Sequence, residues 1–162
     1  MPEPNEYGEV NPLFKRASAL AAAGKTAEAA REFRRVLALS PDNVEAHVGL
    51  ALALDDQGMK QDAIREFRRA IELRPEHTMA HFFLAEALRS AGCLDEAIEQ
   101  FRQTALLSPT DPDTRMSLGD ALAERGDIAE AKEQYSTALK LAPNDDTIRD
   151  LYELLPPHLK SG

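Results

Sequence analysis

Apolar residues recur three and four positions apart through most of the chain, in stretches separated by short polar turns. Leu50, Ala53 and Leu54 do so, as do Leu84, Ala87 and Leu88, and Ala63, Phe67, Ala70 and Ile71. This spacing draws an apolar stripe along one side of an α-helix and predicts helices rather than strands. The stretches break at two kinds of signal. A lone glycine (Gly24, Gly58, Gly92, Gly126) supplies the left-handed residue that ends a helix. A proline (Pro41, Pro75, Pro109, Pro143) cannot continue one, and Asp42, Asn43, Thr110, Asp111, Asn144 and Asp145 beside it are suited to cap the next. The chain therefore alternates helix, glycine turn, helix, proline turn.

The alternation has a fixed period. Cut every 34 residues from Val10, the chain falls into four ungapped blocks, 10–43, 44–77, 78–111 and 112–145. Column 10 is Ala19, Ala53, Ala87 and Ala121, and column 11 is Leu20, Leu54, Leu88 and Leu122. Column 20 is Ala29, Ala63, Ala97 and Ala131, column 24 is Phe33, Phe67, Phe101 and Tyr135, and column 30 is Leu39, Leu73, Leu107 and Leu141. The breaking glycines and prolines occupy columns 15 and 32. Each block is a helix hairpin in which small residues allow close approach and a ring fills the space between hairpins. One hairpin cannot bury its own apolar face, but stacked neighbours can. The repeated "REFRR" at 31–35 and 65–69 belongs to this pattern: its Phe is core, and its arginines lie on an outer face with acids at helical spacing, as in Glu32 and Glu66.

The ends differ from the blocks. Residues 1–9 read as a loose tail. In 146–156, Ile148, Leu151, Tyr152 and Leu155 share one helical face, which suits a capping helix over the last hairpin; residues 157–162 form a second tail.

A 34-residue helix–turn–helix unit with a small residue at column 8 (Ala17, Ala51, Ala85, Gly119), Ala at 20, Phe or Tyr at 24 and Pro at 32 resembles the tetratricopeptide repeat. The resemblance covers residues 10–145 and implies an all-α, right-handed α-solenoid of four repeats. Two departures stand out. The family's usual Trp at column 4 is Leu13, His47, His81 and Arg115, and column 7, otherwise Leu, is Arg16 in the first block. A polar residue there fits the open edge of a first helix.

Composition narrows the chemistry. With 19 basic against 28 acidic residues and a net charge of −9, the chain is not built to coat nucleic acid or an anionic membrane. The N-terminal "MPEPNEYGEV" has neither the basic region nor the apolar core of a signal peptide, and no apolar run approaches a membrane span. The single cysteine, Cys93, cannot close an intramolecular disulfide. The expectation is a soluble cytoplasmic protein. No phosphate-binding glycine loop, nucleophile elbow or zinc-protease motif occurs, so neither an enzyme nor a cofactor is expected. His47, His77 and His81 lie near one another in the pattern, but without Cys or Asp at ligand spacing they read as packing residues rather than a metal site. Cys93, just after a turn glycine, reads as an exposed thiol.

In the first helix of each block, columns 2, 5, 6, 9, 12 and 13 carry no packing duty, and in the family they line a concave groove. Phe14, Val48, Leu52, Phe82, Phe83 and Met116 fall in these columns, with Lys15, Asp55, Glu86 and Asp120 among them. Exposed apolar surface of this kind marks a partner site. The columns hold seven acids against two bases, which suits an apolar segment carrying Lys or Arg. One of Phe82 and Phe83 is expected to fold back on a neighbouring helix. The family's subtype that grips a C-terminal carboxylate does not carry over, because Ser18 and Gly49 stand where its Asn residues would be. The expected function is a protein–protein interaction module, an adaptor, scaffold or assembly factor. The alternative is a self-assembling scaffold that forms homo-oligomers through the ends or outer face of the stack.

Overall fold

The computed structural model describes residues 6–156, with side chains described from 10 onward. The described residues form α-helices joined by short turns: α1 (Glu6–Ala22), α2 (Thr26–Leu39), α3 (Val44–Asp56), α4 (Lys60–Leu73), α5 (Thr78–Ser90), α6 (Leu94–Leu107), α7 (Pro112–Arg125), α8 (Ile128–Leu141) and α9 (Asp146–Leu154). Helix α1 begins at Glu6 and so takes in residues 6–9 of the segment read as a tail; Pro12 lies inside it. The expected tails at 1–5 and 157–162 lie outside the described residues.

Both turn types follow from their residues. Gly24, Gly58, Gly92 and Gly126 all adopt positive φ, between 72° and 99°. The amide of the residue after each glycine reaches back to the carbonyl of the column-11 leucine, as in Lys25 to Leu20 at 2.9 Å and Asp127 to Leu122 at 2.8 Å. This is the closure that a left-handed residue permits at a helix end. The proline turns hand over to the next helix at column 34. Asn43 caps α3 by accepting the Ala46 amide at 3.0 Å, Asp111 caps α7 through Thr114 at 3.2 Å, and Asp145 caps α9 through Ile148 at 3.1 Å. His77 does the same for α5: its Nδ1 accepts the Ala80 amide at 3.1 Å.

The chain divides into two compact units, residues 1–87 and 88–162. In the first, α1 packs on α2 and α3, α2 on α3, and α3 on α4. Its core is Phe33, Leu54, Ile64 and Phe67 among buried alanines. In the second, α6 packs on α7, α7 on α8, and α8 on α9, around Ile98, Phe101, Leu118 and Leu122. Ile148 of α9 is fully buried, whereas Leu154 at its end is 79% exposed, so α9 covers α8 with one face only.

Two glycines set how closely helices approach. A Cβ at Gly49 would lie 2.4 Å from Cζ of the Phe33 ring, and one at Gly119 would lie 2.6 Å from Cε1 of Tyr135. At these positions the ring takes the volume a side chain would need.

Candidate functional site

In residues 1–87 the unassigned columns lie on α1, α3 and the first turns of α5. The structure gives several of them packing contacts. Phe14 is half-buried, its ring edge-on to Phe33 at 5.8 Å and 67°. Phe83 stacks on Phe67 at 6.2 Å and 17°, and Phe82 meets Phe83 edge-on at 5.5 Å and 82°. The reason lies one helix away. Two column-24 rings meet the first helix of the next hairpin. For Phe33 the neighbour there is Gly49, which lets the ring sit against the backbone; for Phe67 it is the ring of Phe83. Phe83 is thus the one of the pair that folds back, and Phe82 leans on it. Both remain half-exposed, as does Leu52. Val48 does not: it is 6% exposed, so its place in the candidate surface is corrected to core. Met79, in the same columns but not singled out by its sequence context, is 55% exposed and is the most open large apolar side chain among the described residues of this face.

The charged rim is more occupied than its sequence suggested. Asp55 accepts from Lys60 Nζ at 3.2 Å. Glu45 accepts from Arg74 Nη1 at 2.7 Å and faces His77 Nε2 at 3.3 Å. Partial burial alone would raise the Glu45 carboxyl, but the hydrogen bonds and charges of Arg74 and His77 outweigh it and hold the group below its usual range. Lys15 is exposed and Glu86 half-buried. At the outer edge of the face, a hollow of about 260 Å³ is lined by Val10, Asn11, Phe14, Asn43 and Glu45.

In the corresponding columns of residues 88–162 the polar side chains Arg89, Asp120 and Glu124 are engaged, and Met116 is the one large apolar residue. The hydroxyl of Tyr135 donates to Asp120 Oδ1 at 2.6 Å. Burial of the ring, and then Asp120, push the phenol well above its ordinary pKa, so it stays a donor. Asp120, half-buried, therefore holds a core ring in place. Arg89 Nη1 donates to Glu124 Oε1 at 2.6 Å. Met116 is half-buried.

The remaining candidates have structural partners. His47 is buried, with Nδ1 2.7 Å from Glu66 Oε2 and Nε2 donating to the Pro41 carbonyl at 2.9 Å. His81 Nε2 likewise donates to the Pro75 carbonyl at 2.8 Å. The column-4 histidines thus pin the first helix of a hairpin to the proline turn before it, a contact that spacing alone does not reveal. Among the described residues, no group of three or more His, Cys, Asp or Glu side chains is placed to hold a metal ion. Cys93 is exposed at the start of α6. The outer arginines pair with acids, Arg35 with Glu32 at 3.0 Å, Arg69 with Asp42 at 3.2 Å, and Arg102 with Glu130 at 2.7 Å. Glu32, read as part of a solvated face, is 9% exposed. Among the described residues no helix is long and apolar enough to cross a membrane.

Comparison with known proteins agrees with this architecture. No curated protein sequence matches the chain. A crystal structure of MamA is similar with a TM-score of 0.81 at 26% identity, covering 86% of this chain and 81% of that one. A MamA double mutant reaches 0.83 at 20% identity, over 88% of this chain and 80% of the other. The pilF protein of Pseudomonas aeruginosa reaches 0.80 at 19% identity, over 91% of this chain and 68% of that one. The fold they share with this chain is the all-α solenoid of helix hairpins. The tetratricopeptide repeat family matches residues 20–72 and 88–155, and a second form of the same repeat matches 53–113. With its glycine turns, column-24 rings and capped first helices, the chain belongs to the tetratricopeptide repeat family.

Proposed function

We propose that this chain is a protein–protein interaction module that holds an apolar segment of a partner, flanked by Lys or Arg, against α1, α3 and the first turns of α5. The observation that carries the reading is the half-exposed aromatic pair Phe82 and Phe83, backed by the buried ring of Phe67 and flanked by Met79, which is 55% exposed. Rings fixed from behind present apolar area with little entropy left to lose on binding, the usual character of an interface anchor. The acids nearby support the basic preference in spite of their internal partners. Lys60 and Asp55 are each about one-third exposed, and ion pairs of that kind contribute about 0–1 kcal/mol, so a partner's cation can exchange for the internal one.

The experiment is selection of peptides from a random displayed library on the intact chain, followed by binding measurements on the selected sequences. Apolar cores with flanking Lys or Arg are expected. Met79→Ala with Phe82→Ala should weaken them by roughly 10- to 100-fold while leaving helicity unchanged, as for loss of a central anchor. Peptides with no apolar core, or affinity untouched by the double substitution, would remove this face from consideration.

Self-assembly has one observation in its favour, the 79% exposure of Leu154 at the end of α9. Light scattering over a range of concentrations separates the two readings. A mass that rises with concentration and returns to that of one chain in Leu154→Glu would place the interface at the cap.

A further inference from the structure

The last hairpin breaks the repeat at a position where the other three agree. Column 21 is Ala30, Ile64 and Ile98 in the first three hairpins, exposed by 1%, 3% and 1%. In the fourth it is Lys132, half-buried, with its ammonium 5.2 Å from the centre of the Tyr152 ring on α9. Column 29, Ala38, Glu72 and Leu106 in the earlier hairpins, is Lys140. Between α8 and α9 lies a hollow of about 330 Å³, lined by Lys132, Glu133, Ser136, Thr137, Lys140 and Tyr152. Neither lysine has a carboxylate at ion-pair distance among the described residues, whereas Arg89, Arg102 and Arg125 of the same unit each have one. Residues 88–162 carry 8 basic against 14 acidic residues, so two unpaired ammonium groups facing one hollow run against the local charge.

Geometry limits what fits. Lys132, Ser136 and Lys140 stand at i, i+4 and i+8, on one side of α8, and eight residues of helix span about 12 Å. One small anion bridges that distance only if both arms fold inward. In an extended chain, side chains four residues apart are separated by roughly 13 Å and point to the same side. Ser136 and Thr137 fall between the two lysines along α8 and line the hollow, the Thr137 hydroxyl donating to the Glu133 carbonyl at 2.9 Å, and Tyr152 lines it from α9. Glu133, the only acid in the lining among the described residues, opposes a ligand that is anionic throughout and favours one whose carboxylates are spaced.

We propose that the hollow between α8 and α9 is a docking site for an extended acidic segment of a partner protein, with carboxylates four residues apart seated on Lys132 and Lys140. It is separate from the face of α1, α3 and α5 and stands or falls without it.

The test is an NMR titration of the full chain with two short peptides, one with glutamates at positions i and i+4 among Ser and Ala, the other with the same composition and the glutamates adjacent. Inorganic phosphate is the third ligand. The spaced peptide should shift the signals of Lys132, Ser136, Lys140 and Tyr152 and bind more weakly as salt rises. Lys132→Gln with Lys140→Gln should weaken it at least about tenfold, with the circular dichroism spectrum unchanged. Arg16→Gln with Arg31→Gln, two other exposed cations without an ion pair among the described residues, should leave it alone. The proposal is overturned by no shift at these residues, by equal binding of the adjacent-glutamate peptide or of phosphate, or by full affinity in the α8 double variant.

Discussion

Phe67 and Tyr135 occupy the same column of the repeat and are equally hidden, yet they are held in different ways. Phe67, in residues 1–87, stacks on a second ring, Phe83, which remains half-exposed. Tyr135, in residues 88–162, lies against the backbone of Gly119 and donates its hydroxyl to Asp120. One ring is held by apolar area and by quadrupole geometry. The other is held by shape and one hydrogen bond to a charged acceptor. The consequence reaches the surface. Backing one ring with another leaves aromatic area facing solvent, where a partner can cover it. Backing a ring with a carboxylate uses up a rim acid and adds no second ring to the surface. This contrast makes α1, α3 and α5, rather than the equivalent columns of α7, the better candidate for binding an apolar segment.

The largest effect that bears on the contrast is expected from Phe67→Ala. A fully buried ring in a packed core costs roughly 3–5 kcal/mol on truncation, and the loss should also loosen Phe83. Tyr135→Phe keeps the ring and removes one hydrogen bond from a half-exposed acceptor, for about 0.5–1.5 kcal/mol. Urea unfolding of the two variants measures both. Equal losses would mean that the two rings are not held by different means.

An intermediate effect is expected at the close-approach glycines. Gly49→Ala gains about 1 kcal/mol of helix propensity but drives a Cβ into a ring that is itself buried, for a net loss on the order of 1–2 kcal/mol. Gly119→Ala should behave alike. The sharper form is a double-mutant cycle. In a Phe33→Leu background the Gly49 substitution should become neutral or stabilising, because the clashing atom is gone. A penalty that persists in that background would show that the ring is not what requires the glycine.

The smallest effect concerns pH. The Glu45 carboxyl is held below its unfolded value, so its contribution is complete above the unfolded pKa and disappears as pH falls through the folded one. The side chain is half-exposed, so solvent screening keeps the contribution small. Arg74→Gln should therefore lower the stability of residues 1–87 slightly near neutral pH and scarcely at all in acid. Hydrogen exchange of α3 amides at the two pH values detects the difference. An effect that grows on acidification would reverse the assigned sign.

The architecture was legible in the residues because each repeated position answers a local demand. Gly at column 15 answers a positive φ, Pro at 32 the end of a helix, and Asn43, Asp111 and Asp145 the open amides of the next. Such demands involve neighbours within a few residues, and 34-residue repetition states them four times over. His77 as a cap was less legible, because an imidazole nitrogen replaces the more usual oxygen acceptor. The candidate site was legible only in part. The pattern identified columns outside the repeated core positions, and Phe14, Leu52, Phe82 and Phe83 there are half-exposed. It did not show that Val48 is buried, that Phe83 stacks on Phe67, or that Glu45 and Asp55 already have cations.

Apart from Asp55 with Lys60, the pairings among those outcomes join side chains 16 to 32 residues apart, such as Phe67 with Phe83 and Glu45 with His77. Whether a column is lined by Gly or Phe changes what the ring across from it touches, and an acid's freedom depends on whether an arginine from another helix reaches it. Helix identity, turn chemistry and repeat number are set by contacts local enough for the order of residues to determine alone. Which apolar and charged groups stay available to a partner is a difference between exposure and internal satisfaction, and only packing in three dimensions decides it.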